Sequence, residues 1–339
     1  MTTGAASSAR QWVLRSRPKG EPVASDVELV EVPVPTPGAG QVVVRNHYLS
    51  VDPYMRGRMN AAKSYAAPYE VDEPMYGGAV GEVVASEDAR VPVGTFVQHE
   101  LGWRTHSVVP ARAAVVVDPA QAPLPSWLGV LGMPGMTAWV GLFDIGEVRP
   151  GETVWISAAS GAVGSLAGQL AKLAGCRVVG SAGGPEKCRY VVEELGFDAC
   201  VDHRAGDLEG QLQAVLPGGL DVYFDNVGGS HLRAALTLAN PFARFVECGQ
   251  ISAYNGVVEP VDNLFLIVGK KLTVRGFIVW DSAHRKPLFT SHVAGLLRDG
   301  RIRYDETVVE GIELQFDALL ALLGGGTQLG KLVVDVRGG

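Results

Sequence analysis

The sequence predicts an α/β chain in which a doubly wound parallel sheet is inserted into a small, partly open β-barrel. Three observations predict it. From Thr153 onward the apolar pattern alternates between strand and helix, whereas residues 10–117 carry only short strands parted by Gly- and Pro-rich turns. Between Gly151 and Lys187 an apolar strand, a small-residue turn, a helix and a second strand follow one another. After Gly300 the chain returns to short strand-like pieces, so its C-terminus rejoins the first part.

In order, Gln11 to Leu14, Val27 to Val32 and Gln41 to Tyr48 read as strands, with proline-rich Pro33 to Gly40 as a turn. Tyr48 to Met59 is a loop or short helix crowded with polar chemistry. Strands follow at Gly77 to Ala85, Gly94 to Glu100, Trp103 to Val109 and Ala114 to Val117. Pro125 to Leu142 reads as a helix broken at Gly132-Met133-Pro134-Gly135. Strands of the parallel sheet are expected near 153–158, 177–181, 199–201, 220–224, 242–249 and 272–279. Its helices are expected near 163–174, 186–195, 207–215, 230–238 and 286–299. Tyr304 to Glu310 and Lys331 to Val336 are strand-like and flank a helix at Phe316 to Leu323. The domains implied are 1–127 with 303–339, and 128–302.

The turn after the first sheet strand reads Ala-x-Gly-x-x-Gly at Ala159, Gly161 and Gly164. Gly161 lets backbone approach a pyrophosphate, and Gly164 lets the helix pack closely on the strand. Ala162 and Val163 then open the helix, whose free N–H groups attract phosphate. A tight turn with no ligand is the alternative, and the strand–turn–helix–strand context argues against it. The second strand ends Gly180-Ser181-Ala182-Gly183-Gly184 without the acid that usually binds ribose hydroxyls. Lys187 follows and suits a 2′-phosphate, with His203 and Arg204 in support. Glu186 dissents, unless it points to solvent from a helix start. NADPH is favoured over NADH.

Hydrophobic residues make up 47% of the 339 and charged residues only 19%, against about 25% in typical domains, so a large core and a subunit interface are affordable. The net charge of −7 argues against nucleic acid and anionic membranes. Met1 to Arg17 is polar, and no stretch approaches a membrane span of about twenty apolar residues. The four cysteines form no Cys-x-x-Cys pair and read as buried free thiols of a cytoplasmic protein.

Ordered motifs along nearly the whole chain resemble those of zinc-independent medium-chain dehydrogenase/reductases of the prostaglandin reductase, leukotriene B4 12-hydroxydehydrogenase and double-bond reductase group. They are Val51-Asp52-Pro53-Tyr54-Met55-Arg56, Leu131 to Ala138, Ala158 to Gly164, Phe224 to Gly229, Cys248 to Asn255 and Leu329-Gly330-Lys331. Gly180 to Arg189 and Gly276-Phe277-Ile278 resemble the bacterial curcumin reductase branch. The resemblance implies a Rossmann domain inserted into a GroES-like catalytic domain, and a homodimer joined through the last sheet strand near Thr273 to Val279. No metal is expected. Tyr76-Gly77-Gly78 stands where zinc enzymes carry Gly-His-Glu, and the barrel half has no cysteine.

With no metal to polarise a carbonyl, reduction of a conjugated C=C bond is easier to support than alcohol oxidation. The protein must then hydrogen-bond the developing enolate and supply a proton to the α-carbon. By resemblance, Tyr254 lies beside the nicotinamide ribose as proton donor or enolate stabiliser, and Tyr54 lines the substrate pocket. Each has a packing role as its alternative. The same likeness assigns cofactor contacts to Gly161, Ala162, Val163 and Gly164; to Ser181, Gly183, Lys187 and His203; and to Asn226. It adds Cys248, Gly249 and Ile251, the backbone of Phe277, Ile278 and Val279, and Gln328. Two of these depart from mammalian relatives: His203 replaces a tyrosine, and Gln328 an asparagine. Arg56 and Arg58 read as solvated loop arginines, and Met133, Met136, Trp103, Trp139 and Trp280 as core. The reaction expected is NADPH-dependent reduction of an α,β-unsaturated ketone or aldehyde. The alternatives are a quinone reductase or secondary-alcohol oxidoreductase, and an NADPH-binding regulator without catalysis.

Overall fold

The computed structural model describes residues 8–62 and 64–338. Residues 1–7, the start of the polar N-terminal stretch, lie outside the described residues. Two compact units are present. One comprises the described residues up to Leu128 with Glu306–Gly326 and those from Leu332 on; the other comprises Gly129–Asp305 with Thr327–Lys331.

In the first unit, β1 (Ser8–Leu14) and β2 (Val27–Pro33) form an antiparallel ribbon. After β3 (Gln41–Ser50) come α1 (Tyr54–Arg58), β4 (Ala79–Ser86), β5 (Phe96–His99), β6 (His106–Pro110) and β7 (Val115–Val116). Strand β3 meets β4 along one edge with two register shifts, and pairs with β6 through Gln41–Arg45 on the other. Such irregularities bend a strand, as a barrel wall requires.

The first helix of the second unit is α2 (Met133–Val140), which is followed directly by a π-helical turn at Gly141–Ile145. The helix therefore starts inside the expected break. The interruption falls at Gly129–Gly132, because Gly135 packs on Val130: a Cβ there would stand 1.9 Å from the Val130 carbonyl oxygen. The alternating pattern follows as β8 (Thr153–Ile156), α3 (Ala162–Leu173), β9 (Arg177–Ala182), α4 (Pro185–Glu193), β10 (Ala199–Asp202), α5 (Leu208–Val215), β11 (Leu220–Asp225), α6 (Gly229–Leu238), β12 (Ala239–Glu247), α7 (Phe265–Gly269), β13 (Thr273–Gly276) and α8 (Lys286–Arg298). The sheet order is β10-β9-β8-β11-β12-β13 with every pair parallel, so the order reverses between β8 and β11. Ligands of such sheets bind beyond the strand C-termini at that reversal.

β14 (Glu306–Glu310), α9 (Gln315–Leu323) and β15 (Lys331–Asp335) complete the first unit's sheet, in the order β14-β15-β3-β4-β5-β7. Leu14, Leu49, Met55, Trp103, Phe316 and Val334 fill its core. In the second unit Trp155, Tyr223 and Phe245, on three adjacent strands, stack with centroids 4.5 and 5.5 Å apart. Leu212 and Leu236 close over them.

Several expectations change. The last strand stops at Gly276 because β12, its partner among the described residues, ends at Glu247. Phe277 and Ile278 are therefore outside the sheet, and Val279 begins a 3₁₀ turn. β12 itself ends early because the Cys248 and Gly249 N–H groups donate to the Asp225 carbonyl. The short helix α7 was not expected, since a continuous apolar run carries no 3.6-residue period. Trp280 is 52% exposed rather than core, whereas Trp103, Trp139 and Met136 are buried. All four cysteines are free, but only Cys176 is buried; the others are half-buried.

α3 packs so closely that Gly168 faces Phe197, and a Cβ would stand 1.8 Å from the ring. Gly168→Ala is expected to destabilise the protein by about 1–3 kcal/mol in urea unfolding. Phe197→Leu in the same chain should recover part of that loss.

Candidate active site

The turn between β8 and α3 is built by three backbone features. Ala158 is left-handed, at φ 50°. Its carbonyl accepts from the Gly161 N–H at 3.0 Å. At Gly164 a Cβ would stand 2.5 Å from that same oxygen, so only glycine lets α3 come this close. Gly161 caps the helix in an extended conformation, leaving the first-turn N–H groups of Ala162 and Val163 at its open end. The Gly330 N–H donates to the Ser160 carbonyl at 2.8 Å, which lays Gln328 and its neighbours alongside this turn.

At the end of β9, Ser181 is fully buried and its hydroxyl accepts from the Trp155 indole at 3.3 Å. Its side chain holds the strand, and Gly183 and Gly184 form the rim. A Cβ on Gly183 would meet Arg204 Nε at 2.9 Å and His203 Cε1 at 3.1 Å. The missing side chain thus leaves a hollow lined by basic groups. Half-buried Lys187 has its pKa lowered by burial and then by Arg204. Burial and Arg204 lower His203 too. Asp202, close by, turns its carboxylate back onto the Gly184 and Arg204 N–H groups at 2.8 and 2.9 Å. Positive charge held together in this way suits a phosphate, and a ribose diol finds no acid here. Glu186 is exposed in the first turn of α4, pointing to solvent. The residues fit the 2′-phosphate end of NADPH.

The other end lies beyond β11 and β12. The Asn226 amide donates to the Ser157 carbonyl at 2.8 Å, leaving its oxygen as the atom it can offer a cofactor. Ile251 donates its N–H to the Asn226 carbonyl. Cys248 and Gly249 lie against the same turn, and the Tyr254 hydroxyl stands 3.4 Å from where a Cβ on Gly249 would be. The phenol therefore lies over the C-terminal end of β12. Phe277 packs its ring on Gly141, and Ile278 is half-buried beside it.

Sequence reasoning credited Asn226 and missed Asp225, which shapes this turn. Its Oδ1 accepts from the Val227 and Gly228 N–H groups and from the Tyr223 hydroxyl, each at 2.8 Å. The signal was present: an Asp before a Gly-Gly turn commonly bonds the backbone ahead of it. Glu247 is its register neighbour on β12. Glu247 Oε1 and Asp225 Oδ2 are buried without a hydrogen-bond partner among the described residues. Burial, then the charge of Asp225, pushes Glu247 up to about 8.

In the first unit, Tyr54 on α1 is half-buried. Burial and then Asp52 hold its phenol above the usual range, so it stays a neutral donor. Arg56 and Arg58 are not solvated loop residues. Arg56 is 2% exposed and donates to the Gly20 carbonyl at 2.6 Å and Asn60 Oδ1 at 2.8 Å. Arg58 lies over the Tyr54 and Tyr76 rings, 5.1 and 4.9 Å from their centroids. Among the described residues no group of three or more His, Cys, Asp or Glu is gathered as a metal site would need. Nor is any helix among them long and apolar enough to cross a membrane.

Fold and site together define a dinucleotide-dependent oxidoreductase. Residues 10–117 match the family described as the N-terminal domain of oxidoreductase, and residues 162–292 match the zinc-binding dehydrogenase family. The NADPH-dependent curcumin reductase of Escherichia coli is 44% identical over 97% of both chains. The NADP(+)-dependent 2-alkenal reductase of Nicotiana tabacum is 39% identical over 97% of this chain and 98% of its own. The crystal structure of CurA from Vibrio vulnificus in complex with NADPH superposes with a TM-score of 0.92, at 43% identity, over 97% of this chain and 99% of that one. The chain belongs to the zinc-independent medium-chain dehydrogenase/reductase family, in its curcumin reductase and double-bond reductase group.

Glu247 gives the fold a pH dependence of known sign. Its folded pKa lies above the ordinary 4.5, so the folded state holds a proton the unfolded chain has released. Stability should therefore fall as pH rises from 4.5 to about 8 and then level off, with a slope from this group of at most about 1.4 kcal/mol per pH unit. Urea unfolding across that range should show a flatter profile for Glu247→Gln.

Proposed function

We propose that this chain is an NADPH-dependent reductase of the C=C bond of α,β-unsaturated ketones and aldehydes. The observation that carries the reading is the Tyr254 hydroxyl over the end of β12, on a sheet whose β9–β10 rim presents basic groups to a phosphate. Relatives that reduce curcumin and 2-alkenals, both named as NADP-dependent, support it.

When bound, NADPH supplies the hydride that adds to the substrate's β-carbon. The chain's own residues do the rest. The first-turn N–H groups of α3 hold the pyrophosphate, with Gly161 clearing the approach. Lys187, His203 and Arg204 hold the 2′-phosphate. Asn226, Cys248, Gly249, Ile251 and the backbone of Phe277, Ile278 and Val279 seat the nicotinamide end, and Gln328 borders the glycine turn. Tyr254 donates a hydrogen bond to the oxygen on which negative charge develops, as enolate stabiliser, or serves as the acid that protonates the α-carbon; in the first case solvent supplies that proton. For Tyr54 we propose contact with the substrate, supported by its neutral phenol and the Arg58 guanidinium on its ring. In this reading residues 1–127 and 303–339 serve the substrate, and 128–302 hold the cofactor.

A homodimer joined through β13 is part of the proposal. That strand is the open edge of the sheet, and Phe265, Val268, Val274 and Trp280 around it are exposed, Phe265 by 80%. Free thiols on all four cysteines favour a reducing, cytoplasmic setting.

NADPH oxidation is to be followed with a panel of conjugated ketones and aldehydes, identifying products by mass and NMR. The expected products are saturated carbonyls, with Tyr254→Phe slowing the reaction about a hundredfold or more. Lys187→Ala should weaken NADPH at least tenfold and leave NADH nearly unchanged, as loss of one charge-assisted contact implies. Allylic alcohols, hydroquinones or no product would refute the reading. Val274→Arg on the edge strand should convert a dimer to a monomer in sedimentation equilibrium.

A further inference from the structure

Two thiols that the reaction does not use face each other beside the proposed 2′-phosphate cradle. Cys188 lies in the first turn of α4, directly after Lys187; Cys200 lies on β10, three residues before His203. Register and helix period bring them together. Cys200 is the partner of Gly180 on β9, and partners on a parallel ladder share a face. A Cβ on Gly180 would meet Val191 of α4 at 3.0 Å, so that face is the one α4 covers. Val191 lies three residues after Cys188, on the same side of the helix. The two thiols accordingly act on each other: Cys200 lowers the pKa of Cys188, and Cys188, with burial, raises that of Cys200. Cys188 therefore loses its proton first, at a helix N-terminus that favours a thiolate. Burial pushes the other two thiols away from reactivity, Cys176 up to about 11 and Cys248 up to about 12.

We propose that Cys188 and Cys200 form a redox modification site, a dithiol that hydroperoxides convert to a disulfide joining the first turn of α4 to β10. The Cys188 thiolate attacks the peroxide, the O–O bond breaks, and an alcohol or water leaves with a Cys188 sulfenic acid behind. The Cys200 sulfur then attacks Cys188; the S–S bond forms, and the sulfenic hydroxyl leaves as water with the Cys200 proton. Two electrons pass from the sulfur pair to the peroxide, and a dithiol reductant returns them. The new bond replaces a side-chain approach between α4 and β10 by a covalent link. It moves the turn carrying Lys187 against the strand leading to His203, and so weakens the grip on NADPH. That last consequence rests on the cofactor reading above; formation of the disulfide does not.

The test is hydrogen peroxide treatment of the full chain, alkylation of remaining thiols, peptide mapping and titration with NADPH. The expected result is a cross-link of the Cys188 and Cys200 peptides at a loss of two hydrogens, with NADPH affinity down severalfold, both reversed by dithiothreitol. In Cys200→Ser the cross-link should vanish and Cys188 should be trapped by dimedone as the sulfenic acid. Full alkylation of both thiols after peroxide, or a cross-link through Cys176 or Cys248, overturns the site. A Cys188–Cys200 cross-link with unchanged NADPH affinity overturns its coupling to the cofactor. Reduced protein that binds no NADPH refutes the cofactor reading instead, and the peptide map still decides the disulfide.

Discussion

The close approach of α3 to β8 is the constraint on which the cofactor unit depends. Gly164 sets it, because the helix backbone passes where a Cβ would strike the Ala158 carbonyl at 2.5 Å. Left-handed Ala158 turns the chain sharply enough for this, and its neighbours use the turn as an anchor. The Ala159 N–H donates to the Ser181 carbonyl and fixes the end of β9, while the Ser160 carbonyl accepts from Gly330. One turn therefore gathers two distant stretches around the first-turn N–H groups of α3. The dipole of that helix acts on a ligand only because the backbone comes so near.

The two ends of the strand row handle charge in opposite ways. Beyond β11 and β12 half-buried Glu247 is the register neighbour of buried Asp225, and burial raises the pKa of both. Glu247, pushed up to about 8, is thereby held protonated below that pH and adds no charge where the proposed reaction generates its own. Beyond β9 and β10 the basic groups stay crowded because Asp202 spends its carboxylate on backbone N–H groups. Neither effect follows from the acidic total of −7. Local placement decides both.

This is also where sequence reading reached its limit. The alternating pattern located each sheet strand, and every crossover helix but α7, within a few residues, because buried parallel strands and amphipathic helices impose different apolar periods. Gly161 and Gly164 were legible from the motif, since each is required by a backbone shape. What a strand's neighbour dictates was not legible. β13 ends where β12 ends, Ser181 is buried because Trp155 reaches it, and Arg58 is covered by Tyr54 and Tyr76. Asp225 and Glu247 read separately as ordinary acids; only the register makes them a pair. Trp280 looked like core because its hydrophobicity is plain and its place on an exposed 3₁₀ turn beyond β13 is not.

Cofactor grip and proposed chemistry are thus assigned to different strands of one sheet. The phosphate end depends on α4 and β10, held to each other by side chains, including two thiols, across the outermost strand pair. The reacting end depends on turns pinned by backbone hydrogen bonds to Asp225 and Asn226 near the middle of the sheet. A displacement of α4 is absorbed at the sheet margin, where few elements share the strain. A displacement at Asp225 would disturb β8, β11 and α6 together. The margin is therefore the place where affinity for a cofactor can be altered without dismantling the groups that act on the substrate.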